Sequence, residues 1–290
     1  MESVQAPVVA SLYVPGDRPE RFSKAVESGA DAVILDLEDA VLPDAKDAAR
    51  DHVLEFLHRS TPTGPRGPRV YVRVNAPHSP HGARDLEALA GTRPDGVRVP
   101  KVETPADVDR VVERLGGVPV DCLLESAAGV QNAPELAAHP AVRSLALGEA
   151  DLTAELRISG DTAFSWLRMR IVVASAAAGL QPPGMAAYID IADSDGLHAS
   201  CVQGRSLGMF GRSAIHPRQV PVIRRAFTPS GEEVVRAREI AEAAAAAGEG
   251  AARGGGAIAL ADGRFVDAPV VVSALRTLAL AESLGERESV

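Results

Sequence analysis

Short apolar runs alternate with longer stretches of helical spacing from the start of the chain to about residue 228. The runs Val8–Val14, Ala32–Leu37, Val70–Val74, Gly96–Val99, Val120–Leu124, Val142–Leu147, Gly184–Tyr188 and Met209–Ile215 have the length and content of strands. Ala32–Leu37 is almost wholly apolar, as expected of a parallel strand covered on both faces. Helix patterns fill the intervals at Asp17–Ser28, Asp44–His58, Gly82–Leu89, Pro105–Leu115, Ala133–Ala138, Thr162–Ala178 and Asp193–Leu207. Pro19 falls near a first helical turn, where its missing N–H costs least. The segment STPTGPRGPR reads as a surface loop. Eight strand–helix repeats predict an α/β fold, a (β/α)8 TIM barrel over residues 1–228. An open doubly wound sheet would carry a Gly-rich phosphate turn after its first strand, and the chain has no G-x-G-x-x-G.

Residues 229–290 read as a C-terminal extension. A helix pattern over Ser230–Ala247 leads into GEGAARGGG, a flexible linker composition. Two short β runs around Asp262-Gly263 signal a hairpin, and a helix pattern over Ala268–Leu284 follows. A helix–hairpin–helix tail behind a glycine linker suits a mobile lid and equally an oligomerisation arm.

In a barrel of this kind the chemistry sits at the carboxyl ends of the strands. That rule collects Asp36, Glu38 and Asp39 after the second run, Arg73 and Asn75 at the third, Lys101 after the fourth, Glu125 after the fifth, Asp151 after the sixth and His216 after the eighth. The unit Val118–Asp151 lays two parallel strands side by side, so Glu125 and Asp151 leave the same sheet edge. Two close carboxylates repel each other unless a cation stands between them, and a hard divalent ion such as Mg²⁺ would remove that repulsion. The alternative is that each starts the next helix, where acids are favoured anyway. Arg73, with its fixed fork of donors, suits a carboxylate oxygen, or an ion pair with Asp36 or Glu38. His216 precedes Pro217 and reads as a packing or hydrogen-bonding group, while His78 and His81 sit on a Gly/Pro loop without a third ligand.

With 46% hydrophobic and 24% charged residues, disorder is not the default. A net charge of −9 argues against a nucleic-acid surface and leaves anionic ligands to local cations. Cys122 and Cys201 lie far apart outside any C-x-x-C pair, and read as small buried apolar residues. No run approaches the length of a membrane span, so the expected location is the cytoplasm.

The motifs LYVPGDRPERF, ADAVILDLEDAV, VRVNAP, VRVPKVET, LLESAAGV, LGEADL, IHPRQV and DGRFVDAPVV together resemble the HpcH/HpaI aldolase family. The similarity is to its citrate lyase β-subunit-like branch, which is related to malyl-CoA and citramalyl-CoA lyases. It runs from about Ser11 to the last helix. The resemblance implies a TIM barrel, assembled as a homotrimer or hexamer, that uses Mg²⁺ or Mn²⁺ to cleave or form a carbon–carbon bond next to a thioester. The substrate would be a 3-hydroxyacyl thioester such as malyl-CoA, citramalyl-CoA or citryl-CoA, or its acyl-carrier-protein counterpart. It further implies Glu125 and Asp151 as metal ligands, with Glu125 also touching the substrate. Arg73 would hold substrate oxygens, Asp267 would be an acid/base residue on the lid that reaches into the active site of the neighbouring subunit, and Tyr13, Arg18, Lys24, Ile215 and His216 would lie at the coenzyme A. Asp36, Glu38 and Asp39 would orient Arg73 or metal-bound water. The chain has Ala128 where the family commonly has the arginine of E-T-A-R-G. A malyl-CoA thioesterase in the same fold and a catalytically idle binding or assembly subunit are the alternative readings.

Overall fold

The computed structural model describes residues 7–59, 67–246, 258–259, 263 and 265–288. Most of STPTGPRGPR, all of GEGAARGGG and Asp262 lie outside the described residues. The chain divides into two compact units, Val8–Phe227 and the described residues from Thr228 onward with Pro7.

The larger unit is built on a seven-stranded parallel sheet. Its strands are β1 Ala10–Pro15, β2 Ala32–Asp36, β3 Arg69–Arg73, β4 Gly96–Val99, β5 Val120–Leu124, β6 Val142–Leu147 and β7 Arg212–Ala214, in the order β6-β5-β4-β3-β2-β1-β7. Every residue of β2 and β5 is buried, the consequence of helical cover on one face and a packed interior on the other. The crossovers are α1 Phe22–Val26, α2 Lys46–Arg59, α3 Pro80–Leu89, α4 Pro105–Leu115, α5 Ala127–Gln131, α6 Ala133–Ala137, α7 Glu149–Leu156, α8 Asp161–Ala177, α9 Ser194–Ser206 and α10 Gln219–Phe227. Register aligns the strand ends: Asp36 lies opposite Arg73, Arg73 opposite Arg98, and Leu124 opposite Leu147.

Three sequence expectations change. The run Gly184–Tyr188 is not a full strand: Gly184 bridges to Ala146 of β6 and Met185 to Arg212 of β7, both in parallel. Pro182 and Pro183 just before it carry no N–H for a ladder, which shortens the pairing. The expected strand Met209–Ile215 contracts to Arg212–Ala214, because Gly208 and Gly211 take φ of +87° and +76° and interrupt the extended chain. The helix expected over Asp17–Ser28 is a 3-10 turn, Pro19–Arg21, followed by the five residues of α1.

The smaller unit contains α11 Gly231–Ala246, a two-stranded antiparallel hairpin of β8 Ile258–Ala259 and β9 Phe265–Val266, and α12 Ala268–Glu288. Gly263 in the connection has φ +83°, the left-handed conformation a tight turn requires. Ala237, Ile240 and Ala244 of α11 pack with Val266, Val271 and Ala274. Contrary to the expectation that no run reaches membrane length, Ala268–Gly285 of α12 is long and apolar enough to cross one by length and composition.

Candidate active site

The ends of β4, β5 and β6 enclose a cleft of about 310 Å³ lined by His78, Lys101, Glu103, Asp107, Glu125, Ser126 and Asp151. Glu125 follows β5 directly and is buried, while Asp151 lies exposed in the first turn of α7. The two carboxylates expected to converge therefore line the same cleft. Glu125 Oε2 accepts a hydrogen bond from the Lys101 backbone N–H at 3.0 Å. Gly148 stands beside Glu125 because β5 and β6 pair Leu124 with Leu147. A Cβ on Gly148 would fall 2.5 Å from Glu125 Oε1, so the glycine is the space the carboxylate occupies.

Burial, then the charges of Glu38 and Asp151, push the Glu125 carboxyl up to about 7, against smaller opposing effects of Arg73 and the Lys101 N–H. Glu38 is likewise raised to about 7 by burial and by Asp39 and Asp36, although Arg73 opposes this. A buried carboxylate crowded by other acids suits a cation. Glu125 and Asp151 offer hard oxygen donors of the type Mg²⁺ takes, with open cleft around them for water or ligand oxygens. No group of three or more His, Cys, Asp or Glu side chains is poised around one point among the described residues. The donor set is thus two carboxylates with room to spare, the way Mg²⁺ is commonly bound.

Arg73 at the end of β3 is held by acids. Its Nε and Nη2 donate to the two oxygens of Asp36 at 2.7 and 2.6 Å, and Nη1 donates to Asp39 at 3.4 Å. Nη1 also stands 2.8 Å from Glu38 Oε2, an ion pair that lacks hydrogen-bond geometry and leaves Oε2 buried without a donor among the described residues. Of the two sequence readings of Arg73, the ion pair with Asp36 and Glu38 is the arrangement present. The Tyr13 ring lies 4.9 Å from the Arg73 guanidinium and 5.7 Å from that of Arg98, whose Nη1 donates to the Tyr13 hydroxyl at 3.1 Å. Asn75 turns away from the cleft and donates to Leu37 O and Asp85.

The remaining expected residues are spread more widely. Arg18 and Lys24 are exposed, and Arg18 Nε is 3.9 Å from Asp17. The Ile215 and His216 amides both donate to Gln219 Oε1, and the His216 ring accepts from the Arg218 amide. Ile215 is exposed. Asp267 is exposed and its Oδ1 accepts from the Val270 amide at the start of α12, the cap arrangement. His78 lines the cleft, whereas His81 Nδ1 is buried without a partner among the described residues.

Three features of the site escape sequence reading. Lys101 adopts φ +55°, rare for a side-chain-bearing residue, and this conformation accompanies its N–H contact with Glu125. Glu149, two residues before Asp151, is gripped by the buried Arg168 of α8 through Nε and Nη2 at 2.8 and 2.9 Å. Ser126 caps α5 by accepting from the Gly129 amide and donates its hydroxyl to Glu103, tying the loops after β4 and β5 together. Only a glutamate two residues before an aspartate in LGEADL signals the second of these, and it does not say which acid faces the cleft.

Residues 10–217 match the family model described as HpcH/HpaI aldolase/citrate lyase. A (3S)-malyl-CoA thioesterase of Cereibacter sphaeroides is 36% identical over 281 residues, covering 96% of each chain. An L-malyl-CoA/beta-methylmalyl-CoA lyase of the same species is 36% identical over 278 residues, covering 83% of this chain and 86% of the relative. The crystal structure of CitE from Mycobacterium tuberculosis in complex with magnesium, acetoacetate and coenzyme A superposes with a TM-score of 0.81 at 36% identity, covering 96% of this chain and all of that one.

Proposed function

The chain belongs to the HpcH/HpaI aldolase/citrate lyase family, and we propose that it is a Mg²⁺-dependent carbon–carbon lyase of 3-hydroxyacyl thioesters. It would cleave malyl-CoA, citramalyl-CoA or citryl-CoA into acetyl-CoA and a 2-oxo acid, or run the condensation. In this reading the Gly184–Met185 bridges between β6 and β7 close an eight-stranded barrel. Residues 229–290 form the lid, and the enzyme works in the cytoplasm as a homo-oligomer, a trimer.

The observation that supports the reading is the pair Glu125 and Asp151 in one cleft, with Glu125 raised to about 7 by burial and neighbouring acids. These two residues would hold Mg²⁺, which when bound supplies Lewis acidity toward the substrate's hydroxyl and carboxylate oxygens. Gly148 and the Lys101 N–H fix where the Glu125 carboxylate sits. Asp36, Glu38 and Asp39 fix the Arg73 guanidinium, whose charge is felt at Glu125 and stabilises developing negative charge on the acyl oxygen. Breaking the bond leaves a thioester enolate, and Asp267 of the DGRFVDAP motif, carried on the lid of a neighbouring subunit, would exchange the proton at its carbon. Tyr13, Arg18, Lys24, Ile215 and His216 are the proposed coenzyme A contacts.

A thioesterase acting on the same substrate class is the second reading, favoured by the relative bearing that name at 36% identity over 96% of the chain. One experiment separates the two. The purified chain with Mg²⁺ is given malyl-, citramalyl- and citryl-CoA, and the products are resolved by liquid chromatography. Acetyl-CoA with an equimolar 2-oxo acid supports the lyase, whereas free coenzyme A with the intact hydroxy acid supports the thioesterase. Neither product from any of the three would sink both and leave an idle binding subunit.

A further inference from the structure

Lys101 has no assignment in this scheme beyond its backbone. Among the described residues lining the cleft it is the only lysine or arginine, facing the carboxylates of Glu103, Asp107, Glu125 and Asp151. Two of those acids are occupied locally: Glu103 Oε1 accepts from the Ser126 hydroxyl and Asp107 Oδ2 from the Thr104 amide. Arg73, the other cation near Glu125, carries three acids on its guanidinium, a net negative cluster. The Lys101 side chain is 49% exposed, and its Nζ lies 3.7 Å from Glu38 Oε1, too long for a hydrogen bond. Its ammonium is thus ion-paired with Glu38 but not hydrogen-bonded to it, on a flexible stem next to the proposed metal pair and carried by a left-handed backbone. Strain of this kind persists where the surrounding structure requires it.

We infer that Lys101 binds the free carboxylate of the acyl group and so makes the site selective for dicarboxylic acyl thioesters over acyl chains without that carboxylate. The inference rests on the acyl-thioester reading above, and its test is a binding measurement so that the two can fail separately. Succinyl-CoA, with the carboxylate, and butyryl-CoA, without it, both lack the hydroxyl that retro-aldol cleavage needs. Their dissociation constants are measured by titration calorimetry without added Mg²⁺, so that the metal cannot itself select the carboxylate. The parent protein binds succinyl-CoA tighter by about tenfold or more, the range of a charge-assisted hydrogen bond. Lys101→Met brings the two ligands to within about twofold, and Lys101→Arg keeps the preference. Lys101→Gly is the folding control: glycine accepts φ +55° without strain and keeps the N–H to Glu125, and it too loses the preference. A parent that does not discriminate, or Lys101→Met and Lys101→Gly variants that still do, overturns the inference. Preserved discrimination in a chain that turns over no acyl-CoA would remove the lyase reading and leave Lys101 standing.

Discussion

Replacing Gly148 by alanine puts a Cβ 2.5 Å from Glu125 Oε1 and 2.8 Å from its Cδ, with Cγ closer still. Favourable carbon contacts lie near 3.5–4.0 Å, so the whole carboxylate arm must turn away, not only its tip. Alanine's own backbone is not strained, since Gly148 sits at φ −87°. Turning Glu125 sacrifices the Lys101 N–H bond, about 1 kcal/mol, within an overpacking cost of about 1–3 kcal/mol. Stiffening of the unfolded chain returns roughly 0.4–1 kcal/mol. The net loss of about 1–2 kcal/mol should lower Tm by about 2–8 °C for a chain of this size. The functional effect is larger, because disturbing even the support of a ligand typically weakens a metal about 10- to 100-fold. Mg²⁺ titrations by calorimetry and the Mg²⁺ concentration for half-maximal turnover should both shift by at least about tenfold. Gly231→Ala, where nothing lies within 4 Å of the new Cβ, is the matched control and should leave both unchanged. A Gly148→Ala protein with parental Mg²⁺ affinity would refute the idea that Glu125, held at this point, grips the ion.

Asp267→Ala should retain thioester binding and lose cleavage; unchanged turnover in the acyl-CoA panel would remove Asp267 from the mechanism and leave it as the cap of α12. Glu125 and Glu38, both raised to about 7 from an ordinary 4.5, keep their protons in the folded chain to higher pH than in the unfolded one. They therefore favour folding below about pH 4.5, and that contribution, on the order of 3 kcal/mol for Glu125, is lost as pH rises through about 7. Because Mg²⁺ must displace the proton, its gain in Tm should be larger at pH 8 than at pH 6, and an equal gain at both would contradict the assignment. Arg168→Met leaves the partly exposed Glu149 without its buried partner and should cost about 1.5–3 kcal/mol, read by urea unfolding. A loss under about 1 kcal/mol would show that this pair does not anchor α7.

The periodic parts of the fold were legible because a buried parallel strand must be a nearly continuous apolar run. β1 through β6 sit where those runs stand, within one residue at all but one of their ends. Legibility failed where backbone chemistry, not hydrophobicity, sets the boundary. Gly184–Tyr188 is as apolar as the others, but two prolines precede it and only two bridges form. Glycines at positive φ trimmed β7 in the same way. Helix α7 matches the alternative in which Asp151 starts the next helix, but nothing in LGEADL announces that Glu149 in its first turn is gripped by Arg168 on α8.

At the site, Glu125 and Asp151 could be read because each follows an apolar run, and position after a strand is a one-dimensional property. Gly148 and Lys101 could not, because their roles exist only across strands. Gly148 matters through the register that sets Leu124 against Leu147, and Lys101 through a φ of +55° that no pattern of residue types announces. Arg73 shows how register decides between two chemically sound readings. With Asp36 directly opposite it on β2, the guanidinium meets a carboxylate of its own chain before any ligand arrives. A charge so committed can stabilise a neighbouring oxygen through space, but to grip a carboxylate of its own it would first have to release an acid. An incoming acyl carboxylate must then find its cation elsewhere in an acidic cleft, and among the described residues that line it Lys101 is the lysine or arginine available.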